Sequence, residues 1–97
     1  MRRLRWFTVE LLPSARRALA ALPPMPRAEV LDAIGDLADD PESPDSLAMT
    51  GKGQGLRRFS VGQYRVVYRV LPQRRSVLVL RIGHRSEVYR GLEPPRG

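Results

Sequence analysis

Residues 56–82 read LRRFSVGQYRVVYRVLPQRRSVLVLRI and contain three apolar runs separated by two short turns. The runs are Leu56 to Val61, Tyr64 to Leu71 and Ser76 to Ile82. Gly62-Gln63 and the residues from Pro72 to Arg75 separate them. Runs this close together are typical of antiparallel strands that follow one another across a sheet. The sequence therefore predicts a three-stranded meander.

The middle run has a clear alternation of residue types. Side chains alternate between the two faces of a strand, so Tyr64, Val66, Tyr68 and Val70 share one face. Arg65, Val67 and Arg69 share the other. One face is suited to a core, and the other carries arginines.

The segment before the meander predicts one strand and two helices. Arg5 to Val9 has the alternation of a short strand. A first helix begins at Pro13 and is stopped by Pro23-Pro24, because proline lacks the backbone donor. A second helix begins at Pro26 and ends near Asp40-Pro41. Its apolar stripe consists of Val30, Leu31, Ile34, Leu37 and Ala38.

This order of elements predicts an α+β fold. We expect an antiparallel sheet of about four strands, including the N-terminal strand, with the two-helix hairpin on one face. The second face is then open and basic. At 97 residues, the chain is expected to form a single domain over residues 1–97.

Residues Glu42 to Gly55 are rich in proline, serine, aspartate and glycine and predict a loop. It ends in Gly51-Lys52-Gly53-Gln54-Gly55. Spaced glycines cradle phosphate where a strand precedes them and a helix follows. Here a strand follows, so the pattern favours a flexible basic loop over a nucleotide-binding loop.

Charge is divided unevenly along the chain. Residues 1–50 hold six arginines and eight acidic residues, whereas residues 51–97 hold eleven basic residues and two glutamates. A codon bias explains sixteen arginines against the single Lys52, but it does not explain why acidic residues avoid the second half. The asymmetry indicates a surface that binds a polyanion, with nucleic acid as the leading candidate.

Several classes of protein are disfavoured by composition. The chain has no cysteine and one histidine, His84, so we expect neither a disulfide nor a metal or other cofactor. Met1 to Glu10 lacks the apolar run of a signal peptide. No run approaches the roughly 20 apolar residues that span a bilayer. We expect a soluble, cytoplasmic protein with no membrane partner.

Three motifs resemble the RelE/ParE toxin superfamily, and the resemblance covers nearly the whole chain. Thr50-Gly51 resembles the end of the loop that precedes the second strand in that family. The run from Arg58 to Tyr68, RFSVGQYRVVY, is similar to its R-x-R-V-G-x-Y-R-V-x-Y core. The run from Ile82 to Tyr89, IGHRSEVY, resembles its V-G-H-R-x-x-V-Y tail.

The resemblance implies the toxin of a type II toxin–antitoxin system. It implies an endoribonuclease that enters the ribosomal decoding site, contacts messenger and ribosomal RNA and cleaves the messenger. A cognate antitoxin is the implied protein partner, in a toxin–antitoxin hetero-oligomer. The catalytic positions carried over are Arg58, Arg65, Arg85 and Tyr89, and His84 is a further candidate, either for proton transfer or for orienting the tail. The family often has a second basic residue where this chain has Ser60, which implies a weaker electrostatic clamp.

The residue types suit this chemistry. In RNA cleavage through the ribose 2′-hydroxyl, a proton acceptor, a proton donor and positive charge at the phosphate are required. Arginine is permanently cationic and clamps phosphate through paired hydrogen bonds. Arg58 and Arg65 are therefore expected to bind the phosphate, Arg85 to clamp it or donate a proton, and Tyr89 to stack on a base or transfer a proton. The further RNA contacts expected are Lys52, Arg57, Arg69, Arg81 and Arg90.

Three other functions remain open at this point. The same fold serves ParE-like poisons of DNA gyrase, which cleave no RNA. A non-catalytic RNA-binding module would use the basic face only for grip, although such modules usually present aromatic residues for stacking. A degenerate toxin would be retained for transcriptional repression together with its antitoxin.

Overall fold

The predicted meander forms the centre of the structure. The computed structural model describes residues 6–51 and 55–90. In chain order the elements are β1 (Thr8–Leu11), α1 (Pro13–Ala20), α2 (Pro24–Asp36), β2 (Ser46–Ala48), β3 (Arg57–Val61), β4 (Tyr64–Leu71) and β5 (Ser76–His84). The fold class is α+β, as predicted.

The sheet is larger than expected and is mixed. Its strand order is β1-β5-β4-β3-β2. The pairs among β2, β3, β4 and β5 are antiparallel, but β1 runs parallel to β5, with Thr8 opposite Ser76. The expectation of about four antiparallel strands was therefore wrong in these two details. The additional strand, β2, has three residues and lies inside the predicted loop.

The turn between β3 and β4 follows the prediction. Val61 pairs with Tyr64, which leaves Gly62-Gln63 as a two-residue connection. Gly62 has a φ of +57°, a region that glycine enters without the steric cost of a Cβ. This turn sets the register of the hairpin.

The helices differ from their predicted limits at three of four ends. The first helix ends at Ala20, before Pro23-Pro24. The second begins at Pro24, which suits a first helical position because the missing N–H has no partner there. It ends at Asp36, followed by turn residues up to Asp39. Within its predicted stripe, Leu31 is 55% exposed and is not part of the core.

The main core lies between the helices and one face of the sheet. Its buried members include Ala15, Val30, Ile34, Val66 and Tyr68. The Tyr68 hydroxyl donates a hydrogen bond of 2.5 Å to the carbonyl oxygen of Pro41. This bond links β4 to the end of the helical hairpin. The alternation predicted for β4 is confirmed, since Tyr64 and Val70 also pack against this core.

A second, smaller core lies on the opposite face, which we call the open face. Leu56, Val67 and Val88 are buried there, and Met49, Leu80 and Tyr89 pack against them. Residues 85–90, here called the C-terminal segment, therefore cover part of the face expected to be open.

An irregularity in β5 shapes the open face. Val67 pairs with Arg81 whereas Tyr68 pairs with Val79, so Leu80 is an extra residue in β5. A bulge of this kind redirects the side chains next to it. Val79 and Ile82 both belong to the helix-side core, and Leu80 packs on the open face.

None of the helices described is both long enough and apolar enough to cross a membrane.

Candidate functional site

A groove on the open face brings together four of the five residues predicted to be catalytic. It has a volume of about 590 Å³. Its lining consists of Ala48, Met49, Thr50, Arg58, Arg65, Arg85, Ser86 and Tyr89. The four predicted residues come from β3, β4 and the C-terminal segment, three parts of the chain that only the fold brings together.

The register of β3 and β4 places two arginines on the same face. Their neighbours Phe59 and Val66 pair with each other and pack into the helix-side core. Arg58 and Arg65 consequently lie on the open face. Arg58 is opposite Val67, two residues from Arg65, so the two arginines are diagonal neighbours across the strands. Diagonal neighbours lie within reach of long side chains.

Ser60 lies directly opposite Arg65 in the ladder. The resemblance implied a basic residue at this position and hence a weaker clamp in this chain. Like charges directly opposite each other destabilise a sheet. Serine avoids that repulsion and leaves Arg65 with a small neutral neighbour.

Arg65 is partly oriented by its own turn. Its Nη1 donates hydrogen bonds of 3.0 Å to the carbonyl oxygens of Gly62 and Tyr64. Guanidinium carries five N–H donors, of which Nη1 has two. In contacts with described residues Arg65 uses only Nη1, so the remaining donors stay available to an anion in the groove.

Tyr89 forms a wall of the groove beneath Arg58. The Arg58 guanidinium carbon lies 5.8 Å from the centroid of the Tyr89 ring, a distance at which the cation is attracted to the aromatic face. The Tyr89 hydroxyl is buried and has no hydrogen-bond partner among the described residues. A buried polar group without a partner is unusual in folded proteins.

Backbone bonds hold the C-terminal segment against the sheet. The Arg85 N–H donates to the carbonyl of Gln63 in the β3–β4 turn. The Val88 N–H donates to the carbonyl of His84. These bonds close a turn directly after β5 and bring Arg85 and Tyr89 back over the open face.

His84 is not brought into the groove. It pairs with Tyr64, and the two rings meet edge to face at 5.9 Å on the helix side of the sheet. Its Nδ1 accepts a 3.1 Å hydrogen bond from the backbone N–H of Ser86 and lies 2.9 Å from the Ser86 hydroxyl. This arrangement orients the turn into the C-terminal segment.

The predicted RNA contacts lie in different places. Arg57 is on the helix side, where it donates to the hydroxyl of Ser46 at 2.7 and 3.0 Å. Arg69 is exposed on the open face, with its guanidinium beside Gly55. Arg90 is exposed at the end of the described chain. Lys52 lies outside the described residues.

Arg81 is bound to the protein itself. Its Nη1 donates to the carbonyl oxygen of Val88 at 3.2 Å and to that of Arg90. It is absent from the groove lining. Arg57 and Arg81 are therefore both absent from the groove lining and bonded within the protein.

The groove is electrostatically uniform. Three arginines line it, and no acidic side chain does. Four aspartates line a separate pocket near the end of α2, namely Asp36, Asp39, Asp40 and Asp45. Within residues 6–51 and 55–90, no group of three or more histidine, aspartate or glutamate side chains is arranged to hold a metal ion. The groove is thus suited to an anion.

Sequence reasoning missed one wall of the groove. Ala48, Met49 and Thr50 line it because β2 pairs with β3, with Ala48 opposite Arg57. Only Thr50 had been singled out, as part of a motif. Ser86, another lining residue, lies inside the recognised tail motif but has no charge to draw attention to it.

Comparison with known proteins gives a consistent assignment. Residues 9–89 match the family described as "ParE toxin of type II toxin-antitoxin system, parDE". The chain is 37% identical to Toxin RelG of Mycobacterium tuberculosis over 92 residues, which cover 87% of this chain and 97% of RelG.

Solved structures share the fold. The toxin–antitoxin complex RelBE2 of Mycobacterium tuberculosis matches with a TM-score of 0.72 at 33% identity, over 80% of this chain and 96% of that one. The RelE–RelB complex of Pyrococcus horikoshii matches with 0.71 at 25%, over 86% and 99%. The isolated RelE toxin of E. coli matches with 0.71 at 19%, over 88% and 93%, a likeness of fold alone.

Proposed function

The chain belongs to the ParE toxin family of type II toxin–antitoxin systems and has the RelE fold, and on this basis we propose that it is a ribosome-dependent endoribonuclease. In this proposal it cleaves messenger RNA in the decoding site and thereby inhibits translation. The observation that carries the proposal is the groove that Arg58, Arg65 and Arg85 line together with Tyr89.

The proposed reaction is an internal transfer at phosphorus. The ribose 2′-oxygen forms a bond to the adjacent phosphorus while the bond from phosphorus to the 5′-oxygen breaks. The 2′-hydroxyl proton passes to a base, and the 5′-oxygen receives a proton as it leaves. The products are a 2′,3′-cyclic phosphate and a 5′-hydroxyl end. Negative charge builds on the phosphoryl oxygens during the transfer, which fixed cations stabilise.

The groove residues divide these roles among them. Arg58 and Arg65 bind the phosphate from the strand side, and Arg85 meets it from the C-terminal segment. A guanidinium gives two parallel hydrogen bonds to a phosphate. Tyr89 is the residue assigned to proton exchange with the substrate, and its ring lies 5.8 Å from the guanidinium carbon of Arg58.

In this proposal the ribosome orients the substrate, which a site with so few catalytic groups does not do by itself. Holding substrate and catalytic groups in a reactive geometry contributes up to roughly 7–11 kcal/mol in ideal cases. A messenger already fixed in the decoding site would enter an open groove in a single orientation. A protein with this function would act in the cytoplasm, with messenger and ribosomal RNA as its nucleic-acid partners.

An antitoxin is the proposed protein partner. The similar structures from Mycobacterium tuberculosis and Pyrococcus horikoshii are toxin–antitoxin complexes. We propose that an acidic, initially disordered segment of a RelB-type antitoxin covers the arginines of the groove and folds on contact. The resulting hetero-oligomer would be inactive.

A second candidate function is poisoning of DNA gyrase. The observation that favours it is the match to the ParE family over residues 9–89. A gyrase poison cleaves no RNA, so a groove lined by three arginines and a tyrosine favours the ribonuclease. Both functions make the protein toxic. They differ in the molecule that is damaged, which is messenger RNA for the ribonuclease and DNA for the gyrase poison.

The test uses purified full-length protein with programmed ribosomes and, separately, with gyrase and supercoiled DNA. We expect wild type to produce new 5′ ends within translated codons and Arg65→Ala to lose them. Arg17→Ala is the matched control, because it removes an exposed arginine from α1. Intact messenger together with gyrase-dependent DNA breaks would overturn the ribonuclease in favour of the poison.

A further inference from the structure

We propose that Arg81 is a positioning residue, which holds the C-terminal segment and thereby keeps Tyr89 beneath Arg58 in the groove. The inference rests on the proposed function for its catalytic consequence. Its structural part concerns the protein alone and is tested separately.

The contacts of Arg81 bracket Tyr89. Nη1 donates to the carbonyl of Val88, the residue before Tyr89, and to that of Arg90, the residue after it. Bonds from a charged donor are stronger than those between neutral groups. One guanidinium thus bonds a carbonyl before Tyr89 and a carbonyl after it, which holds the backbone around Tyr89 relative to β5.

The sheet gives this contact a rigid base. Arg81 pairs with Val67, which is fully buried in the centre of the open face. The extra residue Leu80 precedes Arg81 and packs on that same face. The bulge thus directs Arg81 toward the C-terminal segment, in keeping with the tendency of bulges to re-aim side chains near functional sites.

Packing provides a second point of attachment. Val88 is 5% exposed and packs against Leu56 and Val67. It sits directly over Gly83, where a Cβ would lie 3.7 Å from that of Val88. The apolar contact of Val88 holds the C-terminal segment against the sheet. The hydrogen bonds of Arg81 orient the backbone of that segment.

Arg81 differs in this respect from the arginines of the groove. Arg58, Arg65 and Arg85 line the groove, whereas Arg81 does not. Its Nη1 is bonded to two carbonyl oxygens of the C-terminal segment, whereas the Nη1 of Arg65 is bonded to carbonyl oxygens of its own turn. Arg81 was predicted to contact RNA. It is better explained as an internal support of the C-terminal segment.

The structural test uses full-length protein labelled with 3-fluorotyrosine. The chain has three tyrosines, so ¹⁹F spectra contain three resonances, and Tyr89→Phe identifies the one of interest. In Arg81→Ala we expect the Tyr89 resonance to move toward its position in unfolded protein while Tyr64 and Tyr68 stay unchanged. Arg81→Lys, which keeps a charged donor, should restore most of the shift, and Arg17→Ala should change none of the three.

Two spectral results would overturn the inference. An unmoved Tyr89 resonance in Arg81→Ala would show that the guanidinium does not hold the segment. Movement of all three resonances would show a general contribution to packing instead of a local one. The two core tyrosines therefore report folding within the same spectrum.

The functional test is cleavage by the same variants on programmed ribosomes. Misplacement of a catalytic group by about 1 Å can reduce a rate by 10²-fold. We expect Arg81→Ala to lower kcat by up to about that factor and to leave the KM for ribosomes unchanged. A raised KM with unchanged kcat would instead assign Arg81 to RNA binding. If wild type cleaves nothing, the proposed function fails while the spectra still decide the role of Arg81.

Discussion

The guanidinium of Arg58 lies over the ring of Tyr89, with its carbon 5.8 Å from the ring centroid. Arg58 belongs to β3 and Tyr89 to the C-terminal segment, so the contact joins two distant parts of the chain. It also places a permanent cation over the ring of a tyrosine whose hydroxyl has no partner among the described residues. In the proposed reaction the pair would combine charge stabilisation by Arg58 with proton transfer by Tyr89.

Tyr89→Phe removes the hydroxyl and keeps the ring, so it distinguishes the contributions of the two groups. Phenylalanine keeps the aromatic face toward Arg58 and the packing against the small core. Loss of a positioned proton-transfer group typically reduces a rate by about 10²- to 10⁴-fold. We expect a loss in that range in kcat on programmed ribosomes, with little change in KM. Unchanged kcat and KM would show that Tyr89 acts through its ring, as in stacking on a base.

Arg58→Ala removes one of the cations that line the groove. Binding of single-stranded nucleic acid releases counterions, and each phosphate contact contributes about 0.7 to the slope of log K against log salt. We expect the slope for a short RNA oligonucleotide to fall by about that amount. Titrations at several salt concentrations measure it, and Arg17→Ala should keep the wild-type slope. An unchanged slope in Arg58→Ala would remove Arg58 from the RNA contacts.

The parts of the fold that were predicted depend on local pattern. The alternation along β4 and the glycine turn before it are visible in consecutive residues, and both are present. The strand β2 was missed because Ser46–Ala48 is short and lies among residues typical of loops. Its pairing with β3 is a contact between distant residues, which no local pattern encodes. The parallel pairing of β1 with β5 was missed for the same reason.

The candidate site was likewise predicted only in part. Arg58, Arg65, Arg85 and Tyr89 line one groove, but their catalytic roles stay predictions. Charge alone did not show which arginines are bound within the protein. Arg57 is bound to Ser46, and Arg81 to the carbonyls of Val88 and Arg90. Those acceptors become neighbours only when the sheet and the C-terminal segment are in place.

Tyr68→Phe tests the link between β4 and the helical hairpin. The substitution removes the donor to the Pro41 carbonyl and keeps the ring in the core. A buried acceptor left without its partner costs about 1–3 kcal/mol. One kcal/mol lowers Tm by roughly 4–8 °C in a domain of this size. We expect a decrease in thermal melts, whereas Tyr64→Phe, at a half-buried tyrosine, should melt close to wild type.

His84→Ala decides between two roles for the single histidine. The ring lies on the helix side against Tyr64, and its Nδ1 accepts from the backbone of Ser86. A proton-transfer group must lie within hydrogen-bond reach of the substrate, directly or through one water. We therefore expect His84→Ala to retain most of the cleavage rate of wild type.

The measurement is cleavage on programmed ribosomes together with a thermal melt of the same variant. Loss of the ring removes its contact with Tyr64, so a modest decrease in Tm is expected without a comparable loss of rate. Tyr89→Phe is the matched comparison, because it should show the reverse pattern of a large loss of rate and a small change in Tm. A 10²-fold or greater loss in His84→Ala with unchanged Tm would place the histidine at the substrate, since general acid–base groups contribute about 10²- to 10⁴-fold.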